Sequence, residues 1–178
     1  NGWRRQKQTH RLIATVHHMD KPIIAAVNGA ASGLGCDLAF ACDFVIAGSS
    51  ASFSMAYLKR GLIPDGGGLY FLPRRVGIAC AKELIFSART VESDEAKAIG
   101  LADRIVDDSR LLKDAVEWAQ SLCLGPASAV ALSKSIMNRS VDLSLETVFA
   151  LGSEAQSICY ASDEHHDAVT AFLDKSGR

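Results

Sequence analysis

The residues with the clearest capacity for chemistry lie in a glycine-rich turn, residues 28–37, which directly follows the apolar segment 22–27. Gly33 and Gly35 stand where this turn leads into a helical pattern over residues 34–42. The first backbone N–H groups of a helix have no acceptor within the helix, and they point to one spot beyond its end. This turn therefore predicts a site for an anion, or for an oxygen that becomes negatively charged during a reaction.

A second glycine-rich turn, residues 64–68, contains a single carboxylate, Asp65, followed by three glycines. The neighbouring Leu62, Ile63 and Leu69 predict an apolar wall around this carboxylate. Removal from water in such a pocket would suit the carboxylate to taking up and returning a proton. The alternative is an aspartate that only satisfies the backbone of its own turn. The two turns together indicate an enzyme that acts on a polarised carbonyl group.

The remaining sequence predicts the helices and strands that must hold these two turns in place. Periodicity and turn residues predict a helix over residues 3–19 and an α/β alternation up to residue 125, followed by a helical region over residues 126–178. The predicted strands are 23–27, 43–47, 51–54 and 102–106, and the later helices are 34–41, 68–72, 78–86, 93–100, 109–122, 126–136, 144–159 and 163–173.

Composition excludes several classes of function. The chain has 178 residues, 48% of them hydrophobic, and a formal net charge of −1, which is typical of a globular domain. Adjacent basic residues are few, so no nucleic-acid partner is expected, and no apolar run is long enough to predict a membrane span. The five cysteines form no CxxC pair and predict reduced thiols, with no metal site. A cytoplasmic location is expected, with an organelle matrix as the alternative.

Four separated segments resemble the enoyl-CoA hydratase/isomerase (crotonase) superfamily in order and in spacing, and together they extend the resemblance to essentially the whole chain. These segments are residues 21–47, 53–68, 96–102 and 167–175. The resemblance implies an α/β fold, a spiral of ββα units over residues 1–125. Residues 126–178 would then form a C-terminal helical trimerisation region, in a homotrimer or a dimer of trimers. The first strands of that fold, one amide of the oxyanion hole and much of the CoA-adenine pocket are expected to lie before residue 1.

The resemblance also assigns roles to particular residues. The backbone N–H of Leu34 takes the place of the second oxyanion amide, and Gly33 and Gly35 are expected to keep it accessible to a thioester oxygen. Phe172 and Lys175 fall where the family places an aromatic ring and a cation against CoA. From the residues alone, Lys175 could equally balance the dipole of a helix C-terminus.

The acid/base positions distinguish the reactions of the family. Two glutamates of the hydratases are replaced here by Asp37 and Tyr57. A tyrosine with an ordinary pKa of about 10 is a poor proton acceptor near neutrality, and aspartate is shorter than glutamate, so the pair weakens the case for water addition. Asp65 falls where the isomerases carry their catalytic carboxylate and where the aryl-CoA dehalogenases carry a nucleophilic aspartate.

The resulting hypothesis is isomerisation of the double bond of an enoyl-CoA through a dienolate, with Asp65 as proton shuttle. Leu34 would stabilise the oxyanion, and Asp37 and Tyr57 are further catalytic candidates. The acyl-CoA thioester is the substrate, so no separate cofactor is expected. The alternatives are hydration of a 2-enoyl-CoA, a dehalogenase or hydrolase with Asp65 as nucleophile, and a non-catalytic acyl-CoA-binding protein. Asp37 could instead complement a helix dipole, and Tyr57 could fill the acyl pocket.

Overall fold

A computed structural model describes residues 2–176, with side chains through residue 174. The helices are α1 (Gly2–His17), α2 (Leu34–Ala41), α3 (Gly68–Val76), α4 (Ile78–Ser87), α5 (Ser93–Ala98), α6 (Leu111–Leu122), α7 (Ala127–Ser140), α8 (Leu145–Tyr160) and α9 (Asp163–Ser176). The strands are β1 (Ile24–Val27), β2 (Ala30–Ser32), β3 (Phe44–Gly48), β4 (Ser52–Ser54), β5 (Val91–Glu92) and β6 (Arg104–Val106). Within residues 2–176, every helix is too short or too polar to cross a membrane.

The chain divides into two compact units. The first contains the chain up to Met19 together with Ile23–Ala119, and the second contains Asp20–Pro22 together with the chain from Gln120 onward. In the second unit, the carboxylate of Glu164 accepts hydrogen bonds from the backbone N–H groups of Ala127 and Ser128, both at 3.1 Å. Glu164 thereby caps the start of α7, where a negative charge complements the helix dipole.

Two small sheets organise the first unit. In one, β3 lies between β1 and β6 and pairs with both in parallel, with Ile24 opposite Phe44 and Ala47 opposite Ile105. In the other, β4 pairs in parallel with β2 and antiparallel with β5. The segment from β1 to α2, which contains β2, and the segment from β4 to α3 both belong to this unit, and β2 pairs with β4. These two segments contain the glycine-rich turns predicted to carry the chemistry.

Apolar side chains from the helices and from both sheets form the core of the first unit. Its most buried members include Cys36, Phe40, Val45, Phe53, Leu72 and Leu101. Helix α2 packs against both α1 and α3. This packing brings three helices together around the starts of α2 and α3.

Most predicted elements are confirmed, and the differences have local causes. The bounds of α2 are those predicted. Two short strands, β2 and β5, were missed, because they consist of few residues and exist only through pairing with β4. Helix α3 continues through Pro73 to Val76, although the prediction ended it before the proline. The Arg74 guanidinium lies 3.5 Å from the centre of the Tyr70 ring, and Arg75 donates a 2.9 Å hydrogen bond to Leu101 O. These contacts of the residues after Pro73 stabilise the last turn of α3.

Candidate active site

The start of α2 has the geometry predicted for an oxyanion site. Gly33 precedes the helix with a φ of 53°, in the left-handed region that favours glycine, and its N–H donates a 2.9 Å hydrogen bond to Ser54 O on β4. Leu34 is the first residue of the helix, so its N–H has no acceptor within the helix. Open space surrounds the position that a Cβ would take at Gly35. The first turn of α2 therefore presents accessible backbone donors.

The turn that carries Asp65 is bent by short-range hydrogen bonds. The N–H of Asp65 donates to Ile63 O at 2.8 Å, and Gly67 has a φ of 111° immediately before α3 begins. The Asp65 side chain is 27% exposed. Leu62, Ile63 and Leu69 are all exposed, so the enclosed apolar wall predicted around Asp65 is not formed by these residues.

Asp37 and Tyr57 form a buried pair between the two turns. The Tyr57 hydroxyl donates a 2.5 Å hydrogen bond to Asp37 Oδ2. Asp37 is 0% exposed, and its other oxygen, Oδ1, has no hydrogen-bond partner within the described part of the chain. A carboxylate so far from water needs partners for its charge, and besides Tyr57 the backbone N–H groups of Gly66 and Gly68 lower its pKa.

Burial perturbs the protonation of both members of this pair. Loss of solvent raises the pKa of Asp37 to about 6, with the hydrogen bond from Tyr57 acting in the opposite direction. Burial, together with the hydrogen bond to Asp37, raises the pKa of Tyr57 well above its usual range. The negative charge of Asp65 raises both pKa values further, so the three groups lie within electrostatic reach of one another.

Gly66 and Gly68 let the Asp65 turn lie directly over the Asp37 carboxylate. A Cβ at Gly66 would be 2.5 Å from Asp37 Oδ2 and 2.7 Å from Leu34 Cδ1. A Cβ at Gly68 would be 2.5 Å from Asp37 Oδ1. Neither distance is possible for a real side chain without displacement, so both positions require glycine. Asp37 therefore supports the turn that presents Asp65 beside the start of α2.

Sequence reasoning missed His10 on α1. Its Nε2 atom lies 3.6 Å from Asp65 Oδ2. A sequence signal was present, because His10 precedes the buried Ile13 by three residues and so shares its helix face. The structure thus brings Leu34, Asp37, Tyr57 and Asp65 close together, and it adds a histidine; the catalytic roles of these residues stay predictions.

The two residues predicted to contact CoA belong to the second unit. Phe172 lies on α9, and its ring is exposed. Lys175 lies in the last turn of α9, and its side chain is outside the described residues. Both assignments stay predictions.

Comparison with known proteins identifies the family. The family model for enoyl-CoA hydratase/isomerase matches residues 4–177. A short-chain-enoyl-CoA hydratase of Clostridium acetobutylicum is 41% identical over 166 residues, which cover 93% of this chain and 64% of that protein. A 1,2-epoxyphenylacetyl-CoA isomerase of Escherichia coli is 37% identical over 164 residues, which cover 92% of this chain and 63% of that protein.

A solved structure shares the fold. The crystal structure of an enoyl-CoA hydratase/isomerase from Cupriavidus metallidurans matches with a TM-score of 0.92 at 40% identity, and it covers 97% of this chain and 65% of that one. The chain therefore spans less than two thirds of the length of these three relatives. The family match and the shared architecture confirm the resemblance inferred from the four sequence segments. This chain belongs to the enoyl-CoA hydratase/isomerase family and has the crotonase fold.

Proposed function

We propose that this protein isomerises the double bond of an enoyl-CoA thioester, with Asp65 as the proton shuttle. The observation that carries the proposal is the contrast between its two carboxylates. Asp37 is fully buried and bonded to Tyr57, whereas Asp65 is partly open and lies in the turn beside α2. One accessible base is sufficient for moving a double bond, because the same group can remove a proton from one carbon and return it to another.

The proposed reaction begins with the thioester oxygen at the N–H of Leu34. This hydrogen bond stabilises the negative charge that gathers on the oxygen when the α-proton leaves. Asp65 takes that proton, the C–H electron pair forms a dienolate, and the protonated Asp65 then delivers the proton to the γ-carbon. The product is the conjugated 2-enoyl thioester. Gly35 leaves open space beside Leu34, which supports its proposed role at the thioester, and Gly33 lies against the Tyr57 ring.

Asp37 and Tyr57 contribute to the proposed reaction by holding the Asp65 turn. The hydrogen bond between Tyr57 and Asp37, and the close approach of Gly66 and Gly68 to the Asp37 carboxylate, fix the position of that turn relative to α2. In the second unit, we expect Phe172 and Lys175 to contact CoA.

The proposed assembly is a homotrimer or a dimer of trimers. The exposed apolar side chains of α8 and α9 favour contacts between copies of the chain, and they include Phe149, Ile158 and Leu173. The expected location is cytoplasmic, with an organelle matrix as the alternative.

Hydration of a 2-enoyl-CoA is the second candidate, and the state of Asp37 favours it. A carboxyl group with a pKa of about 6 and an unpartnered oxygen is suited to exchanging a proton with a water near neutral pH. The Clostridium acetobutylicum relative, named as a hydratase, supports the same reaction. Against it stands the complete burial of Asp37, which leaves a bound water no open route to the carboxylate.

Two substrates distinguish these candidates in one preparation of the protein. We would supply 3-hexenoyl-CoA and crotonyl-CoA separately and follow the products by chromatography and mass spectrometry. The isomerase proposal predicts that 3-hexenoyl-CoA becomes 2-hexenoyl-CoA, with unchanged mass, faster than crotonyl-CoA gains a water. If crotonyl-CoA is hydrated and 3-hexenoyl-CoA is not converted, the isomerase proposal is wrong and the hydratase proposal takes its place. Turnover of neither substrate would contradict both proposals.

A further inference from the structure

The imidazole of His10 lies beside Asp65, and the proposed reaction gives it no role. The 3.6 Å between Nε2 and Asp65 Oδ2 is longer than an ordinary hydrogen bond but within the range of an ion pair. The His10 side chain is 54% exposed, about twice the exposure of Asp65. The imidazole is therefore the more exposed of the two groups.

Packing of α1 fixes this contact. Ile13, on the same face of the helix as His10, is buried. A Cβ built at Gly67 would lie 3.4 Å from Ile13 Cγ2, so α1 packs on the turn that carries Asp65. The position of His10 above Asp65 thus follows from a packed helix face.

Two other charged groups of this region, Lys7 and Asp37, have different partners. Lys7, one turn before His10, places its ammonium 3.8 Å from the centre of the Trp3 ring. Asp37, on the neighbouring α2, is buried and accepts its hydrogen bond from Tyr57. The contact between His10 and Asp65 is therefore distinct from the hydrogen bond between Tyr57 and Asp37, although the charge of Asp65 raises the pKa of both of those groups.

We propose that His10 exchanges the proton held by Asp65 with solvent while the dienolate exists. His10 acts through Asp65 and is therefore a positioning residue, and this inference rests on the proposed isomerase function. After Asp65 has taken the α-proton, its O–H bond breaks and an N–H bond forms at Nε2 of the neutral imidazole. The imidazolium releases a proton from Nδ1 to water. The reverse sequence returns a solvent proton to Asp65 and then to the γ-carbon, so the overall balance is one proton removed and one delivered.

Isotope incorporation tests this role. We would convert 3-hexenoyl-CoA in deuterium oxide and measure, at low conversion, the share of product that carries deuterium at the γ-carbon. In wild type a substantial share carries deuterium, and in His10→Gln this share falls by at least about fivefold. The kcat of His10→Gln falls by less than about tenfold, because a group that itself moves the substrate proton is worth about 10²–10⁴-fold. The KM is expected to stay unchanged, because the proposed role of His10 is to exchange a proton with Asp65.

Two further variants keep the test decisive. His18→Gln replaces another exposed histidine near the end of α1 and is expected to incorporate deuterium as wild type does. His10→Lys places an ammonium group beside Asp65, but a lysine with an ordinary pKa of about 10.4 cannot exchange protons readily near neutrality, so its deuterium share falls as in His10→Gln. Glutamine and lysine are both good helix formers, so both variants should keep α1.

Each outcome decides between the proposals. Wild-type product without deuterium, or an unchanged deuterium share in His10→Gln, would overturn the role of His10 and leave the isomerase proposal standing. Full incorporation in His10→Lys would also overturn proton exchange by the imidazole. Absence of any isomerisation by wild type would overturn the proposed function, and the role of His10 with it.

Discussion

Replacing Asp37 by asparagine should remove a pH dependence that this carboxyl imposes on the stability of the fold. Burial raises the pKa of Asp37 from 3.8 to about 6, so the folded protein holds this proton more tightly than the unfolded chain does. Below about pH 4 the group is protonated in both states, and its contribution to stability is fully present. As the pH rises from about 4 to about 6, the unfolded chain releases this proton while the folded protein still holds it, so the free energy of unfolding falls. At 1.36 kcal/mol for each pKa unit, the loss is about 3 kcal/mol.

The assay is urea unfolding of wild type and Asp37→Asn at several pH values between about 4 and 7. Trp118 is buried in the first unit and its fluorescence reports unfolding there. The asparagine side chain has the same shape and no charge, and it can still accept the hydrogen bond from the Tyr57 hydroxyl. The carboxyl groups that do not interact with Asp37 titrate alike in both proteins, so their effects cancel in the difference. As the pH rises, the free energy of unfolding of the variant should increase relative to that of wild type by about 3 kcal/mol. Above about pH 6 the difference between the two proteins should be constant.

A matched substitution controls for the removal of any aspartate. Asp107 is exposed, so Asp107→Asn should follow wild type at every pH. If the free energies of unfolding of wild type and Asp37→Asn differ by the same amount at every pH, the pKa of Asp37 is not raised in the folded protein. A difference that favours wild type increasingly as the pH rises would also contradict the raised pKa, because that is the sign expected for a carboxylate stabilised in its charged form.

Three further substitutions test the supports of the site. Tyr57→Phe removes the hydroxyl that donates to Asp37, and it should lower the free energy of unfolding by about 1.5–3 kcal/mol in chemical denaturation; an unchanged value would contradict the buried pair. Gly68→Ala places a Cβ 2.5 Å from Asp37 Oδ1, so it should lower the free energy of unfolding by about 1–3 kcal/mol in the same denaturation experiment. Gly29→Ala is the matched control: nothing lies within contact distance of its Cβ, so stability should change by less than about 1 kcal/mol. Leu34→Pro removes the proposed oxyanion donor at a helix position that tolerates proline, so kcat for isomerisation should fall by about 10²–10³-fold with the helical circular dichroism retained. Leu34→Ala keeps the N–H and should retain kcat within about tenfold; equal rates for the two variants would exclude this donor.

Local patterns predicted the elements on which the site is built. The bounds of α2 followed from Gly33 and the apolar residues after it, because a left-handed glycine before a helical pattern is a local signal. The importance of the turn at Asp65 was also visible locally, since three glycines in succession indicate a close approach. What the turn approaches, the carboxylate of Asp37, lies on a different helix.

Local sequence patterns could not predict the contacts between residues that lie far apart in the sequence. The hydrogen bond between Tyr57 and Asp37 joins positions 20 residues apart, and it turns two catalytic candidates into a buried pair. Strand β2 exists because it pairs with β4, so its short sequence carries little strand signal of its own. The exposure of Leu62, Ile63 and Leu69 could not be foreseen, because an apolar run indicates burial without showing what would cover it.

Replacement of Asp65 by asparagine removes the proposed proton shuttle. Asparagine keeps the shape of the side chain and cannot take up the substrate proton, so kcat for conversion of 3-hexenoyl-CoA to 2-hexenoyl-CoA should fall by about 10²–10⁴-fold. Asp107→Asn, prepared alongside, should convert the substrate at the wild-type rate. An Asp65→Asn protein that folds and isomerises as fast as wild type would show that another group moves the proton.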